Sequence, residues 1–307
     1  MAYTLLVSGA SGHLGRRVIA HLLESHRVPP AQIVAGTRRP DQLASLAEAG
    51  VSVRRLDFED PSSLTSALRN VDRMLLISTD AVDRPGARLN QHRAAVEAAS
   101  AASVKHIVYT SMPNPGESFI TFAPDHLGTE DALRSSGLAW TILRMNWYME
   151  NLLPSLRLAL AAGKWHTASG KGRVGYISRE DCARAAAAAL YAPTRTSTWF
   201  DITGPELLSA AQVVAMVRDL VRAPLEIVEQ TEMEYRFGLK GAGLADPVIA
   251  VLVSIEASIR TGKLQVATHD VKTLTGKPPK RLWEFLMEHK ATLTAGLATR
   301  RTARDQS

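Results

Sequence analysis

The apolar run TLLVSG leads straight into Ser8-Gly9-Ala10-Ser11-Gly12-His13-Leu14-Gly15, and a helical pattern follows at once. This G-x-x-G-x-x-G spacing between a strand and a helix constrains the fold more than any other stretch. Gly9 allows the tight turn, Gly12 lets backbone N–H groups approach a pyrophosphate, and Gly15 lets the helix pack on the sheet. An anion placed there sits at a helix N-terminus, where free N–H groups and the helix dipole favour negative charge. The expectation is a dinucleotide site; the bland alternative is a turn with incidental glycines.

The rest of the chain supplies the βαβ context that such a loop needs. TLLVSG, QIVAGT, VSVRRL, RMLLIS, HIVYTS and AWTILR each read as a buried parallel strand. Between them, helices are expected over Leu14–Glu24, Asp41–Glu48, Pro61–Leu68, Arg88–Ala102 and His126–Ser136. Asp60-Pro61 offers an N-cap followed by a proline in the first turn. The alternation predicts an α/β fold with a Rossmann-type doubly wound parallel sheet. Residues 1–150 form the expected NAD(P)-binding domain, its sheet completed by parts of 174–204. Residues 151–307 form a smaller, mostly helical C-terminal substrate lobe that is not an independent module. Within this lobe, helices are expected over Asn151–Ala162, CARAAAAALYA, Ser209–Val221 and Pro247–Arg260, and a strand at TWFDITG.

Several function classes are disfavoured. No apolar run approaches the roughly 20 residues needed to cross a bilayer, and MAYTLLVSGA reads as a first strand, not a signal peptide. The single cysteine, Cys182, cannot form an internal disulfide, so a cytoplasmic setting is expected. The net charge of +6 suits anionic ligands, but its arginines cluster only at Arg38-Arg39 and in the tail RRTARDQS, read as a frayed end. No nucleic-acid motif, membrane partner or metal site is expected.

The second strand ends Ala35-Gly36-Thr37-Arg38-Arg39-Pro40, without the carboxylate that would take a ribose 2′-hydroxyl. Arg38 instead suits a 2′-phosphate, which favours NADPH over NADH. Asp57 and Phe58 follow the third strand, where the adenine edge would lie, and Ser78 and Thr79 end the fourth, at the sheet's carboxyl edge.

GASGHLG, TRRP, LDFED, LLIST, KHIVYTS, DHLGTEDALRSSGLAWTILRMNWYMENL and DVKTLTGKPP, in this order, resemble the NmrA-like branch of atypical short-chain dehydrogenases. Within that branch the likeness is to bacterial NADPH-dependent quinone oxidoreductases and triphenylmethane dye reductases. The resemblance spans nearly the whole chain. It implies that Gly9, Ser11, Gly12, His13, Leu14 and Gly15 wrap the pyrophosphate and that Arg38 meets the 2′-phosphate. Ser78 and Thr79 would lie near the nicotinamide ribose, and the segment after Arg144 would form the floor beside the nicotinamide. Relatives commonly carry Leu-Arg-Asn after the sixth strand, whereas this chain reads Leu143-Arg144-Met145-Asn146, with the Asn shifted by one.

Typical short-chain dehydrogenases donate a proton from Tyr in Tyr-x-x-x-Lys. No Tyr here is followed four residues later by Lys; the frame survives as Phe122-Ala123-Pro124-Asp125-His126. A general acid supplies about 10²–10⁴ in rate, help that an ordinary ketone needs. A quinone leaves an aromatic phenolate that takes its proton later, and a cationic dye forms no oxyanion. The missing pair therefore favours electron-poor, conjugated acceptors. His126, Tyr148 and Asn146 are the candidate catalytic groups, and Trp147, Tyr148 and Tyr176 the candidate substrate walls; each has a plain structural alternative. A cofactor-sensing regulator without turnover, or a reductase or epimerase of one small metabolite, would share the cofactor half. Exposed faces of Arg88–Ala102 and His126–Ser136 offer surfaces for a homodimer.

Overall fold

The computed structural model describes residues 3–295; the tail RRTARDQS lies outside the described residues. The chain alternates strands and helices as far as residue 145: β1 (Leu5–Val7), α1 (His13–Glu24), β2 (Ile33–Thr37), α2 (Ala44–Glu48), β3 (Ser52–Arg55), α3 (Pro61–Ala67), β4 (Arg73–Leu76), α4 (Ala87–Ala101), β5 (His106–Ser111), α5 (Ala123–Ser135) and β6 (Ala139–Met145). Next come α6 (Leu152–Ala162), β7 (Lys164–Thr167), β8 (Arg173–Val174), α7 (Arg179–Tyr191), β9 (Thr198–Ile202), β10 (Leu208–Ser209), α8 (Ala210–Val221) and β11 (Glu226–Glu229). Helices α9 (Glu232–Gly241), α10 (Asp246–Arg260), α11 (Asp270–Thr275), α12 (Leu282–Glu288) and α13 (Lys290–Thr294) follow. No helix among the described residues is long and apolar enough to cross a membrane.

Seven strands form one parallel sheet in the order β3-β2-β1-β4-β5-β6-β9. The strand order reverses between β1 and β4, which opens a crevice at their carboxyl ends. Alternation along β1 sets the layers. Leu5 and Val7 face α1 and α7, packing with Val18, Ile19, Leu22 and Ala186. Leu6 faces the other way, toward Leu64, Ala95, Val96 and Leu133 of α3, α4 and α5. With both faces covered, the strands are continuously apolar. A third core, around Leu156, Val213, Val217, Ile255 and Phe285, belongs to the C-terminal segments.

Helix α5 begins three residues before the expected His126, because Pro124 sits in its first turn, where its missing N–H costs nothing. One other stretch differs from the sequence reading: Asp41–Glu48 divides into a 3-10 turn over Pro40–Leu43 and the short α2. Nearer the C-terminus, Gly276 ends α11 in the left-handed region at φ 72°. Helix α9 and strand β11 were not legible in the pattern.

Arg73, at the start of β4 and 2% exposed, fastens α7 to the sheet. Its Nε donates to Leu190 O at 2.7 Å, Nη1 to Thr194 O at 2.9 Å and Nη2 to Ala189 O at 3.3 Å. Carbonyls at a helix C-terminus lack internal partners and attract cations. Burial lowers the guanidinium to about 10, which leaves it charged at neutral pH.

Histidines take other buried polar positions. His106 shares a hydrogen bond with Thr141 Oγ1 across β5 and β6 at 2.9 Å. His92 and His126 lie between the sheet and α4 and α5. Burial, then the neighbouring arginine, lowers His92 and His106 each to about 3 and holds His126 well below its usual value. All three are therefore neutral in the folded protein.

Two outcomes follow. Arg73→Met strips charged donors from three carbonyls, and urea unfolding should show a loss of about 3 kcal/mol; a loss below about 1 kcal/mol would remove the clamp role. Neutral histidines with depressed values contribute stability that is complete above their unfolded value of 6.5 and falls as pH drops toward about 3. The urea midpoint should therefore be level above about pH 7 and decline by about pH 5; a level midpoint down to pH 5 would contradict the buried neutral state.

Candidate active site

A cleft of about 680 Å³ opens at the carboxyl ends of β1–β4. Its floor is the turn between β1 and α1. Gly9 has φ 58° and its carbonyl accepts from Gly12 N–H at 2.9 Å. A Cβ on Gly15 would stand 2.4 Å from that carbonyl oxygen and 2.8 Å from Ala10 Cα, so only glycine lets α1 start this close. Helix α1 carries no side-chain cap and no acid in its first turn. Its first N–H groups, at His13, Leu14 and Gly15, have no intrahelical partner and suit an anion. His13 is exposed, while Leu14 packs on the core beneath α1.

The β2 wall presents Thr37, Arg38 and Arg39. Thr37 Oγ1 shares a hydrogen bond with Ser11 Oγ at 2.9 Å and accepts from Arg39 N–H at 3.2 Å, which joins the glycine turn to the end of β2. Arg38 is exposed and makes no hydrogen bond or ion pair among the described residues. Glu59 is held below the ordinary carboxylate range by hydrogen bonds from Arg84 and Gln91 and, more weakly, by Arg38. Asp57 Oδ1 accepts from Glu59 N–H at 3.1 Å, and Phe58 packs half-buried on the second face of the sheet.

The end of β4 is held by side chains. Ser78 N–H donates to Thr110 Oγ1 at 2.8 Å, and Thr79 N–H donates to His92 Nε2 at 3.0 Å. His92 thus accepts at Nε2 and, being neutral, carries its proton on Nδ1, which donates to Thr129 Oγ1 at 2.9 Å. Thr79 Oγ1 is enclosed and has no hydrogen-bond partner.

Of the residues expected at the cofactor, Gly9, Ser11, Gly12, Arg38, Asp57, Phe58, Ser78 and Thr79 line this one cleft. Arg144 lies elsewhere: its Nε and Nη2 form a fork on Glu130 at 3.0 and 2.7 Å, bracing β6 against α5. Burial raises the Glu130 carboxyl, but hydrogen bonds from Arg144, Ser111 and Arg134 outweigh it and hold the group low.

His126 is 4% exposed, in the first turn of α5. Its Nε2 accepts from Arg88 Nη2 at 3.0 Å, so its proton sits on Nδ1, 2.8 Å from Tyr109 Oη. Asn146 is 2% exposed. Its amide donates to Leu264 O at 3.1 Å and Val266 O at 3.2 Å, and its oxygen accepts from Trp147 N–H at 2.7 Å. That ties the end of β6 to the segment before α11. Trp147 packs half-buried on the C-terminal core, which contains Tyr176 (6% exposed), whereas Tyr148 packs toward α1 and α7. Tyr148 Oη donates to Met145 Sδ at 3.4 Å, and Arg179 stands 5.3 Å from its ring centroid.

Sequence reasoning missed Thr37, Gln91, His92 and Arg88. One signal was available. The inward stripe of α4 continues through Ala95, Val96 and Ala99, yet its first turns carry Arg88, Gln91 and His92, all buried. Polar residues on a core-facing stripe mark a special environment.

A family model described as NAD(P)H-binding matches residues 9–193. Quinone oxidoreductase 2 of Escherichia coli (strain K12) is 34% identical over 280 residues, covering 91% of this chain and 96% of that protein. The crystal structure of the NADPH-dependent quinone oxidoreductase from Escherichia coli with NADPH matches with a TM-score of 0.87 at 33% identity, over 92% of this chain and 99% of that one. Citrobacter sp. triphenylmethane reductase complexed with NADP(H) matches with a TM-score of 0.86 at 30% identity, over 92% and 99% of the two chains. The chain therefore belongs to the NAD(P)H-binding family, among the oxidoreductases toward which its motifs pointed.

Proposed function

We propose that this oxidoreductase transfers hydride from NADPH to a quinone or a similar electron-poor, conjugated acceptor, without a tyrosine–lysine acid pair. The cleft fits the cofactor. The open first turn of α1, with Gly9, Ser11 and Gly12 at its mouth, suits a pyrophosphate. Arg38, exposed and unpaired, suits a 2′-phosphate. Asp57 and Phe58 would border the adenine, and the unpartnered Thr79 Oγ1 would find a ribose hydroxyl. Bound there, NADPH supplies two electrons and one hydrogen as hydride.

The observation that carries the acceptor assignment is that the protic groups beyond the cleft are committed to one another: His126 bonds Arg88 and Tyr109, and the Tyr148 hydroxyl bonds Met145. Burial raises the Tyr109 and Tyr148 hydroxyls well above their usual value and holds His126 well below its own. Each stays neutral through the physiological range, and none is a ready acid. A ketone would need the roughly 3–5 kcal/mol that a general acid contributes. A quinone does not: the electron pair ends on an aromatic phenolate, and the second hydrogen arrives as a proton from water. His126 then serves as a buried link between Arg88 and Tyr109, and Asn146 as a tie beneath the acceptor floor. Trp147, Tyr148 and Tyr176 would supply the apolar walls. The buried, unpaired Cys182 suits a reducing compartment, and we infer a cytoplasmic location.

With purified protein, NADPH and a panel of quinones, absorbance at the nicotinamide band should fall, at a rate level from about pH 6 to 8. Tight NADPH binding without oxidation by any acceptor would leave a cofactor-binding protein and sink the enzymatic reading. For the cofactor, Arg38→Ala should weaken NADPH about tenfold or more and NADH by less than about twofold. Equal losses for the two would remove the 2′-phosphate role.

A further inference from the structure

The first turn of α4 buries a cation without an anion. Arg88 is 6% exposed, and its guanidinium lies 5.2 Å from the Phe122 ring centroid. Nη2 donates to His126 Nε2, the enclosed Nε has no partner, and Nη1 makes no hydrogen bond. Among the described residues, no carboxylate lies within 4.0 Å of it. Asp80, Asp125, Tyr109 and Tyr148 act on it only electrostatically, and the two histidines beside it, His92 and His126, are neutral. Arg73, the other guanidinium buried to this degree among the described residues, places each of its three nitrogens on a carbonyl. Arg88 does not, although it stays charged.

Its position matters as much as its state. Asp80 and Ala81, just before α4, line the cofactor cleft, and so does Gln91, three residues beyond Arg88. Phe122, under the guanidinium, packs against the C-terminal core. Arg88 does not itself line the cleft; it lies one helical turn before Gln91, which does, and beside Phe122, which packs on the C-terminal core.

We propose that Arg88 is the cation of the acceptor site: its unused Nη1 donor binds the oxygen that turns negative as a quinone is reduced, and its charge excludes cationic acceptors. The inference rests on the hydride-transfer reading above. When the C–H bond of the reduced nicotinamide breaks and the hydride bonds to the quinone, an electron pair moves onto a quinone oxygen. Arg88 meets that oxygen with a charge-assisted hydrogen bond and gives up no proton; water supplies the proton as the hydroquinone leaves. A cationic dye would bring like charges together in an enclosed place, where repulsion is poorly screened.

Arg88→Met and Arg88→Lys test this, with NADPH affinity as the check that the cleft is intact. The first readout needs no turnover. With NADP⁺ present, a nitrophenolate should bind the Met variant about tenfold or more weaker than wild type, and the Lys variant within about threefold. The second readout is selectivity. In the Met variant, kcat/KM for a neutral quinone should fall about tenfold or more while that for a cationic triphenylmethane dye rises. Equal nitrophenolate affinity in all three proteins, or equal losses for quinone and dye, would overturn the proposal. Should the Met variant fail to fold, the Lys variant decides: it must keep the preference for quinone over dye, and a reversed preference overturns the assignment. Wild type that binds nitrophenolate through Arg88 but oxidises no NADPH with any quinone would refute the hydride-transfer reading and leave the anion site standing.

Discussion

The cofactor side of the molecule depends on how closely α1 approaches the turn after β1. Gly15 has no Cβ, so the helix starts directly against the Gly9 carbonyl and Ala10. The same carbonyl accepts from Gly12, and Ala10 N–H donates to Gly36 O at 3.0 Å on β2. Gly36 in turn lies so near Leu56 that a Cβ there would fall 2.8 Å from its side chain. A single line of close contacts thus runs from α1 through the turn to β2 and the segment after β3. A side chain at Gly15 would displace the turn itself, and with it the spacing between the open helix end and Thr37, Arg38 and Asp57.

The parts that the sequence disclosed are those set by local rules. Strands buried on both faces are short apolar runs, and β1, β2, β4 and β5 were plain for that reason. The glycine turn is legible because spacing and position suffice to define it. Helix α9 was not legible: its apolar residues, Met233, Tyr235, Phe237 and Leu239, are spread over its surface and none of its residues is buried. Strand β11 begins and ends in glutamate, and Ile227 and Val228 between them leave no alternation. The place of Asn146 was out of reach for another reason. Its amide partners stand 118 and 120 positions away, and nothing in MNWY names them.

Two buried arginines show how environment divides one chemistry. Arg73 spends its donors on the end of a helix and serves cohesion. Arg88 keeps two nitrogens unspent beside a neutral imidazole and an aromatic ring. Both are costly to bury, and only the first is repaid within the protein. The pair of positions at Phe122 and His126, which lack the usual tyrosine and lysine, both meet the Arg88 guanidinium.

Strand order also has a consequence for synthesis. β9 completes the edge of a sheet that begins with β1, and α7 covers the face built on Leu5, Val7, Ile33 and Leu143. As the chain leaves the ribosome, its first six strands emerge before the helix that shields them. That face stays sticky until residues near 190 are free and Arg73 finds their carbonyls. A chain that ended near residue 150 would leave that face covered by α1 without α7, an exposed apolar surface open to chaperones and proteases.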